Sequence, residues 1–145
     1  MKLPLLCVLV MVAGVIPTQS GILNLNKMIQ QMTGKTPLFS YWFYGCHCGP
    51  KGRGQPKDAT DWCCKTHDCC YMALKSKNCR YTTDHYKYNM THDDIHCSLD
   101  GTWCERHLCD CDKKLAMCLK HNLDTYNKYL RFYWRPRCQG PTSKC

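Results

Sequence analysis

The run Trp62-Cys63-Cys64-Lys65-Thr66-His67-Asp68-Cys69-Cys70-Tyr71 sets a histidine and an aspartate between two cysteine pairs. An imidazole accepts a proton near neutral pH, and a carboxylate holds a hard cation. On a helix, Cys63, Cys64, His67 and Tyr71 fall at i, i+3 or i+4 of one another. Asp68 projects about 100° further round. His67 and Asp68 therefore cannot bond each other across a turn, yet both address one space in front of the helix. Disulfides at the flanking cysteines would immobilise this platform, as a preorganised site requires.

Two other segments carry matching chemistry. Tyr44-Gly45-Cys46-His47-Cys48-Gly49 is a glycine-bearing loop, and loop carbonyls plus one carboxylate make an all-oxygen site suited to calcium. Downstream, Cys109-Asp110-Cys111-Asp112 places Asp112 on the face of Leu108, Leu115 and Leu119. A carboxylate on an apolar face needs a partner. His67 is the natural one, and a histidine oriented by an aspartate is a general-base pair.

Elements must hold these groups. Ile22 to Met32 reads as an amphipathic helix, with Ile22, Leu25 and Ile29 at i, i+3, i+7 beside Met28 and Met32. That stripe suits a core or a lipid-binding substrate channel. Gly34 ends the helix and Pro37 forbids its resumption. Tyr41 to Gly54 is loop. A long helix is expected from about Asp58 to Lys75, with Asp58 and Asp61 in its first turn, where the helix dipole favours acids. A second is expected from about Cys104 to His121. Asp100-Gly101, between short alternating segments, reads as the turn of a β-hairpin. The segment from Asn122 is aromatic and basic, without a clear period.

Residues 1–20 read as a secretory signal: Lys2, an apolar stretch from Leu3 to Ile16, then small Thr18 and Ser20 before Gly21. The stretch is too short to span a bilayer. Of the 15 cysteines, Cys7 lies in that segment, leaving 14, an even number, for residues 21–145. In an oxidising compartment that is a disulfide framework and not a zinc or thiol redox site. By length residues 21–145 are one domain. They carry 19 Lys and Arg against 11 Asp and Glu, and from Lys113 onward eight bases meet one acid, Asp124. This balance favours anionic lipid surfaces or sulfated polysaccharide such as heparan sulfate; in the expected extracellular compartment nucleic acid is not the expected partner. It also serves solubility. Asn89-Met90-Thr91 is a glycosylation sequon.

Together the Tyr-Gly-Cys-His-Cys-Gly loop, the Asp-Trp-Cys-Cys-Lys-Thr-His-Asp-Cys-Cys-Tyr helix and the Cys-Asp-Cys-Asp helix resemble the secreted phospholipases A2 of group II. Within that group, the Ile-Leu-Asn-Leu-Asn-Lys-Met start and Leu-Arg-Phe-Tyr-Trp-Arg-Pro tail are most similar to the IID branch. The resemblance implies a mainly α, disulfide-rich fold: two long antiparallel helices, a short N-terminal helix, a calcium loop and a small β-hairpin. It implies calcium-dependent hydrolysis of the sn-2 acyl ester of glycerophospholipids at membrane surfaces. His67 matches the general base, Asp112 the carboxylate that holds it, and Tyr71 and Tyr86 the phenols that bond Asp112. Asp68 and the carbonyls of His47, Gly49 and Lys51 match the calcium ligands, and the Gly49 N–H the oxyanion donor. Family pairing implies Cys46–Cys138, Cys48–Cys64, Cys63–Cys118, Cys69–Cys145, Cys70–Cys111, Cys79–Cys104 and Cys97–Cys109.

One position departs from the pattern. The family loop continues Gly-x-Gly-Gly-x-Gly, whereas this chain reads Gly49-Pro50-Lys51-Gly52-Arg53-Gly54. Lys51 stands where the resemblance implies a glycine, the residue free to take a positive φ, and an ammonium near a dication opposes binding. Weaker calcium binding is the expectation. The alternative function is a catalytically impaired ligand of a receptor or of heparan sulfate on the same scaffold.

Overall fold

The computed structural model describes residues 20–145; the expected leader, apart from Ser20, lies outside the described residues. Helix α1 (Ser20–Thr33) turns Met28, Ile29 and Met32 into the core and leaves Ile22 and Leu23 exposed. It stops at Gly34, whose φ of 71° suits a helix end and whose N–H reaches the Gln30 carbonyl at 2.9 Å. Pro37 does not merely block continuation. It opens a short helix, α2 (Pro37–Ser40), because a proline in the first turn has its φ preset and gives up no needed donor.

Helix α3 (Ala59–Lys75) is capped by Asp58, whose carboxylate accepts from the Asp61 N–H at 2.8 Å. Helix α4 (Trp103–His121) starts with a capping box. The Glu105 N–H donates to the Thr102 hydroxyl at 3.1 Å, and the Thr102 N–H to the Glu105 carboxylate at 3.0 Å. Helix α4 packs against both α1 and α3. The Cys63–Cys118 and Cys70–Cys111 bridges climb one long helix while descending the other, so α3 and α4 run antiparallel. Five more disulfides join Cys46–Cys138, Cys48–Cys64, Cys69–Cys145, Cys79–Cys104 and Cys97–Cys109. Each closes a chain loop and so narrows the unfolded ensemble, an effect of about 2–4 kcal/mol per bridge.

The hairpin lies upstream of its expected place. Strands β1 (Tyr88–Met90) and β2 (Ile95–Cys97) pair antiparallel, with Tyr88 opposite Cys97 and Met90 opposite Ile95. The turn is Thr91 to Asp94, closed by the Thr91 N–H on the Asp94 carbonyl at 2.9 Å. Asp100-Gly101 instead leads the chain into the Thr102 cap of α4, with Gly101 at φ 106°. The capping box competes for this segment and wins. Beyond α4 the chain makes three 3-10 turns, Leu123–Thr125, Lys128–Leu130 and Arg135–Arg137. Among the described residues no helix is long and apolar enough to cross a membrane.

Candidate active site and metal loop

Helix α3 presents His67, and the facing helix α4 presents Asp112 at the same level. The His67 Nε2 lies 2.7 Å from the Asp112 Oδ1. Asp112 is fully buried, and its carboxylate also accepts the hydroxyls of Tyr71 at 2.5 Å and Tyr86 at 2.6 Å. Two phenol hydroxyls and the facing His67 ring nitrogen surround this buried carboxylate and satisfy it. Burial, the Asp112 charge and the hydrogen bond to it push both phenols far above their ordinary pKa, so they stay protonated donors. Tyr71 also packs against the His67 ring at 4.2 Å between centroids and stacks on Tyr81 at 5.3 Å. The imidazole is thus held by a carboxylate at one nitrogen and an aromatic face beside it. Its Nδ1 remains the nitrogen not engaged by Asp112.

His67 and Asp68 share a cleft of about 810 Å³ with His47, Gly49 and Lys51 of the loop. Ile22, Leu25 and Ile29 line the same cleft, graded from exposed Ile22 to buried Ile29. The residues expected from sequence to act on a lipid ester therefore meet in one place. Asn89 lies elsewhere, exposed on β1 opposite His96.

Asp68 carries an uncomfortable charge. Burial pushes its carboxyl up to about 6, and the nearby His67, His47, Lys65 and Arg135 offset this only in part. A dication would relieve the penalty. Among the described residues no cluster of three or more His, Cys, Asp or Glu side chains is arranged to hold a metal. A site with one carboxylate and backbone carbonyls is the calcium pattern and has no such cluster. On this ground the donor set fits calcium.

The loop's shape is imposed by its surroundings. Asp61, fully buried in the first turn of α3, accepts the N–H groups of Cys46 at 2.7 Å, His47 at 2.8 Å and Lys57 at 2.8 Å. Gly45 has φ 58°, and a Cβ there would lie 2.4 Å from the Asp61 carboxylate. Gly49 has φ 88°, and a Cβ there would lie 1.9 Å from the Trp42 carbonyl. Both positions exclude every side chain. Lys51 takes φ 55°, in the left-handed region where the family pattern has glycine. Its side chain is exposed. The His47 side chain is buried, and its Nε2 lies 2.9 Å from the Gly54 carbonyl, so its imidazole supports the fold.

Two residues that shape the loop carry no sign of that role in the sequence. From its position Asp61 is a helix-dipole acid; in the structure it anchors the loop. Arg135 was one base among eight, and its guanidinium is half-buried against the loop carbonyls. The only sequence signal for Asp61 was its place at the start of α3. Arg135 gave none, because its contacts span more than eighty residues.

The comparisons with known proteins bear on this geometry. Residues 22–131 match the model of the family described as Phospholipase A2. The chain is 66% identical over 145 residues to "Group IID secretory phospholipase A2" of Homo sapiens, and 62% identical over 145 residues to that of Mus musculus. Both matches cover 100% of each chain. It is 50% identical over 147 residues to "Phospholipase A2, membrane associated" of Bos taurus, again covering 100% of each chain.

Proposed function

The chain belongs to the phospholipase A2 family, and on that premise we propose that it is a secreted enzyme hydrolysing the sn-2 acyl ester of glycerophospholipids at membrane surfaces. One observation carries the reading. His67 is hydrogen-bonded at Nε2 by the buried, doubly phenol-bonded Asp112, inside the cleft that also holds Asp68 and the loop.

Asp112 fixes the imidazole with its proton on Nε2, which leaves the Nδ1 lone pair as the base. Nδ1 takes a proton from a water as that water attacks the ester carbonyl, and later returns it to the leaving alkoxide. Asp112 stabilises the imidazolium in between, with Tyr71 and Tyr86 keeping the carboxylate in place. Ile22, Leu25 and Ile29 offer the acyl chain an apolar wall. The Gly49 N–H is the donor proposed for the developing oxyanion. Asp68 and the carbonyls of His47, Gly49 and Lys51 would hold calcium, which supplies a Lewis acid for the ester oxygen and a counterion for the lipid phosphate.

Membrane contact is supported by exposed apolar side chains on α1, α2 and the turn after it: Ile22, Leu23, Leu38, Phe39 and Phe43. Exposed Lys128 and Arg131 add charge suited to anionic lipid or heparan sulfate. The intact His67–Asp112 pair argues for an enzyme over an impaired ligand. The test is hydrolysis of mixed-acyl vesicles with calcium present, identifying the released acid. The sn-2 acid should appear, and His67→Gln should reduce its rate by about 10²–10⁴-fold. Release of the sn-1 acid, or a variant keeping a tenth of the rate, would refute the assignment.

A further inference from the structure

The calcium loop is gripped by a cation of the protein's own. In the Arg135–Arg137 turn, the Arg135 Nη1 donates to the carbonyls of Cys46 at 3.1 Å, Pro50 at 3.2 Å and Lys51 at 3.5 Å. Its Nη2 donates to the Cys48 carbonyl. Four carbonyls within residues 46–51 thus converge on one guanidinium. Three belong to residues outside the proposed ligand set. Lys51 belongs to both, so one carbonyl links the guanidinium to the metal position.

The fixture answers a need of this loop. Cys48 is buried, and a buried carbonyl without a donor is costly; the Cys46 carbonyl already accepts the Arg53 N–H at 3.1 Å and takes Arg135 as a second donor. Pro50 has no N–H to contribute to the loop's own hydrogen bonds. Lys51 holds a left-handed φ without being glycine, and its neighbours must enforce that conformation. Arg135 is well placed to do so. The Cys46–Cys138 bridge ties its turn to the loop, and the Cys138 N–H donates to the Arg135 carbonyl at 2.8 Å. The planar fork of a guanidinium can hold several oxygens at once, which an ammonium cannot do in the same geometry. Asp61 and Asp68 provide negative charge nearby.

We propose that Arg135 is a positioning residue for calcium: its guanidinium holds the loop carbonyls in the ligating arrangement and thereby sets calcium affinity. The proposal rests on the calcium-loop reading above. Two effects of this residue oppose each other. As a charge, Arg135 repels a dication, so its loss should tighten binding. As a fixture behind the ligands, its loss should weaken binding, and such supports are worth about 10–100-fold in metal affinity. The four-carbonyl grip and the carboxylates near the guanidinium make the second effect dominant.

The experiment measures calcium affinity by titration calorimetry, without substrate, for wild type, Arg135→Gln, Arg135→Lys and Arg137→Gln. Amide exchange of residues 46–52 is followed in parallel in calcium-free buffer. Arg135→Gln should weaken calcium binding about tenfold and speed exchange across the loop. Arg135→Lys should weaken it too, although the charge is kept. Arg137→Gln removes a neighbouring charge of the same turn and should leave both readouts unchanged. Tighter or unchanged binding in Arg135→Gln, with wild type binding calcium, would overturn the inference while leaving the metal reading intact. Absence of calcium binding by wild type would overturn the metal reading, and this inference with it. If Arg135→Gln does not fold, Arg135→Lys decides on the same criteria. Failure of both to fold would make Arg135 a residue of the fold and overturn the inference.

Discussion

Asp112→Asn isolates charge from geometry at the centre of the site. The Asp112 Oδ1 receives both His67 and Tyr71, while the Oδ2 receives Tyr86. An asparagine with its oxygen at the Oδ1 position keeps the first two bonds. Its amide then faces Tyr86, whose hydroxyl can turn and accept. Shape and hydrogen-bond count are therefore preserved, and only the negative charge is lost. That charge matters when His67 becomes an imidazolium. The upper bound is a pair at about 4 Å in an effective dielectric of about 20, near 4 kcal/mol, or about a thousandfold in rate. The lower bound is the difference between a charge-assisted and a neutral hydrogen bond, about 1.5 kcal/mol, or roughly tenfold. Two phenols already draw on the carboxylate, so the loss should lie toward the lower bound, about thirtyfold in kcat. The assay is vesicle hydrolysis at saturating calcium, with thermal melts of both proteins. Stability should hold or rise, because a buried charge is removed. Asp112→Ala, by contrast, strands three donors beside a cavity and should cost about 3 kcal/mol or more. If Asp112→Asn loses less than about threefold, the carboxylate does not stabilise the imidazolium. If it loses as much as His67→Gln, the base has been misplaced and the mapping of donors onto its two oxygens is wrong.

Lys51→Gly restores the loop pattern, removes an exposed ammonium from the loop and relieves a left-handed non-glycine residue. Calcium affinity should rise, with activity gained at limiting calcium and little changed at saturation; unchanged affinity in calorimetry would show that the wild-type loop already adopts its ligating shape without strain. Asp68 gives a pH-dependent prediction for the calcium-free protein. Its carboxyl is raised from 3.8 to about 6 in the fold, so the folded chain holds this proton more tightly than the unfolded chain. Any stability tied to the protonated carboxyl is full below the unfolded value and lost as pH rises through about 6. Asp68→Asn should therefore raise the calcium-free melting temperature by a few degrees at neutral pH and lose that advantage at pH values below the unfolded carboxyl value. Saturating calcium should reverse the order, since only wild type gains from the ligand. A melting temperature for Asp68→Asn below that of wild type in calcium-free neutral buffer would refute this account.

Legibility from sequence followed the reach of each signal. His67, Tyr71 and the flanking cysteines were readable because one helix period relates them. Asp112 was readable because an acid on the Leu108, Leu115 and Leu119 face demands a partner. The hairpin was misplaced because Asp-Gly is a strong local turn signal that serves equally well as a helix entrance. Nothing in the dipeptide reveals that Thr102 and Glu105 will claim it, although the capping-box spacing itself was present. The roles of Asp61 and Arg135 were hidden for a different reason. Apart from the local Lys57 N–H on Asp61, their bonds run to residues 46–51, and only chain closure brings these together. Lys51 lies between these cases. The pattern marked it as a departure, and the structure gives that departure a conformational meaning in its positive φ.

The route of the cross-links bears on how such a chain is made. The loop's Cys46 is bridged across a separation of 92 residues to Cys138, and Cys69, two residues beyond His67, across 76 to Cys145. While the polypeptide is still emerging from the ribosome, the helix bearing His67 and the loop bearing Cys46 exist before the segment that secures them. The site cannot be fully clamped until synthesis has passed residue 145 and oxidation has followed. The Cys69–Cys145 bridge is therefore the last that the order of synthesis allows. Until then the helix bearing His67 is held only through Cys63, Cys64 and Cys70.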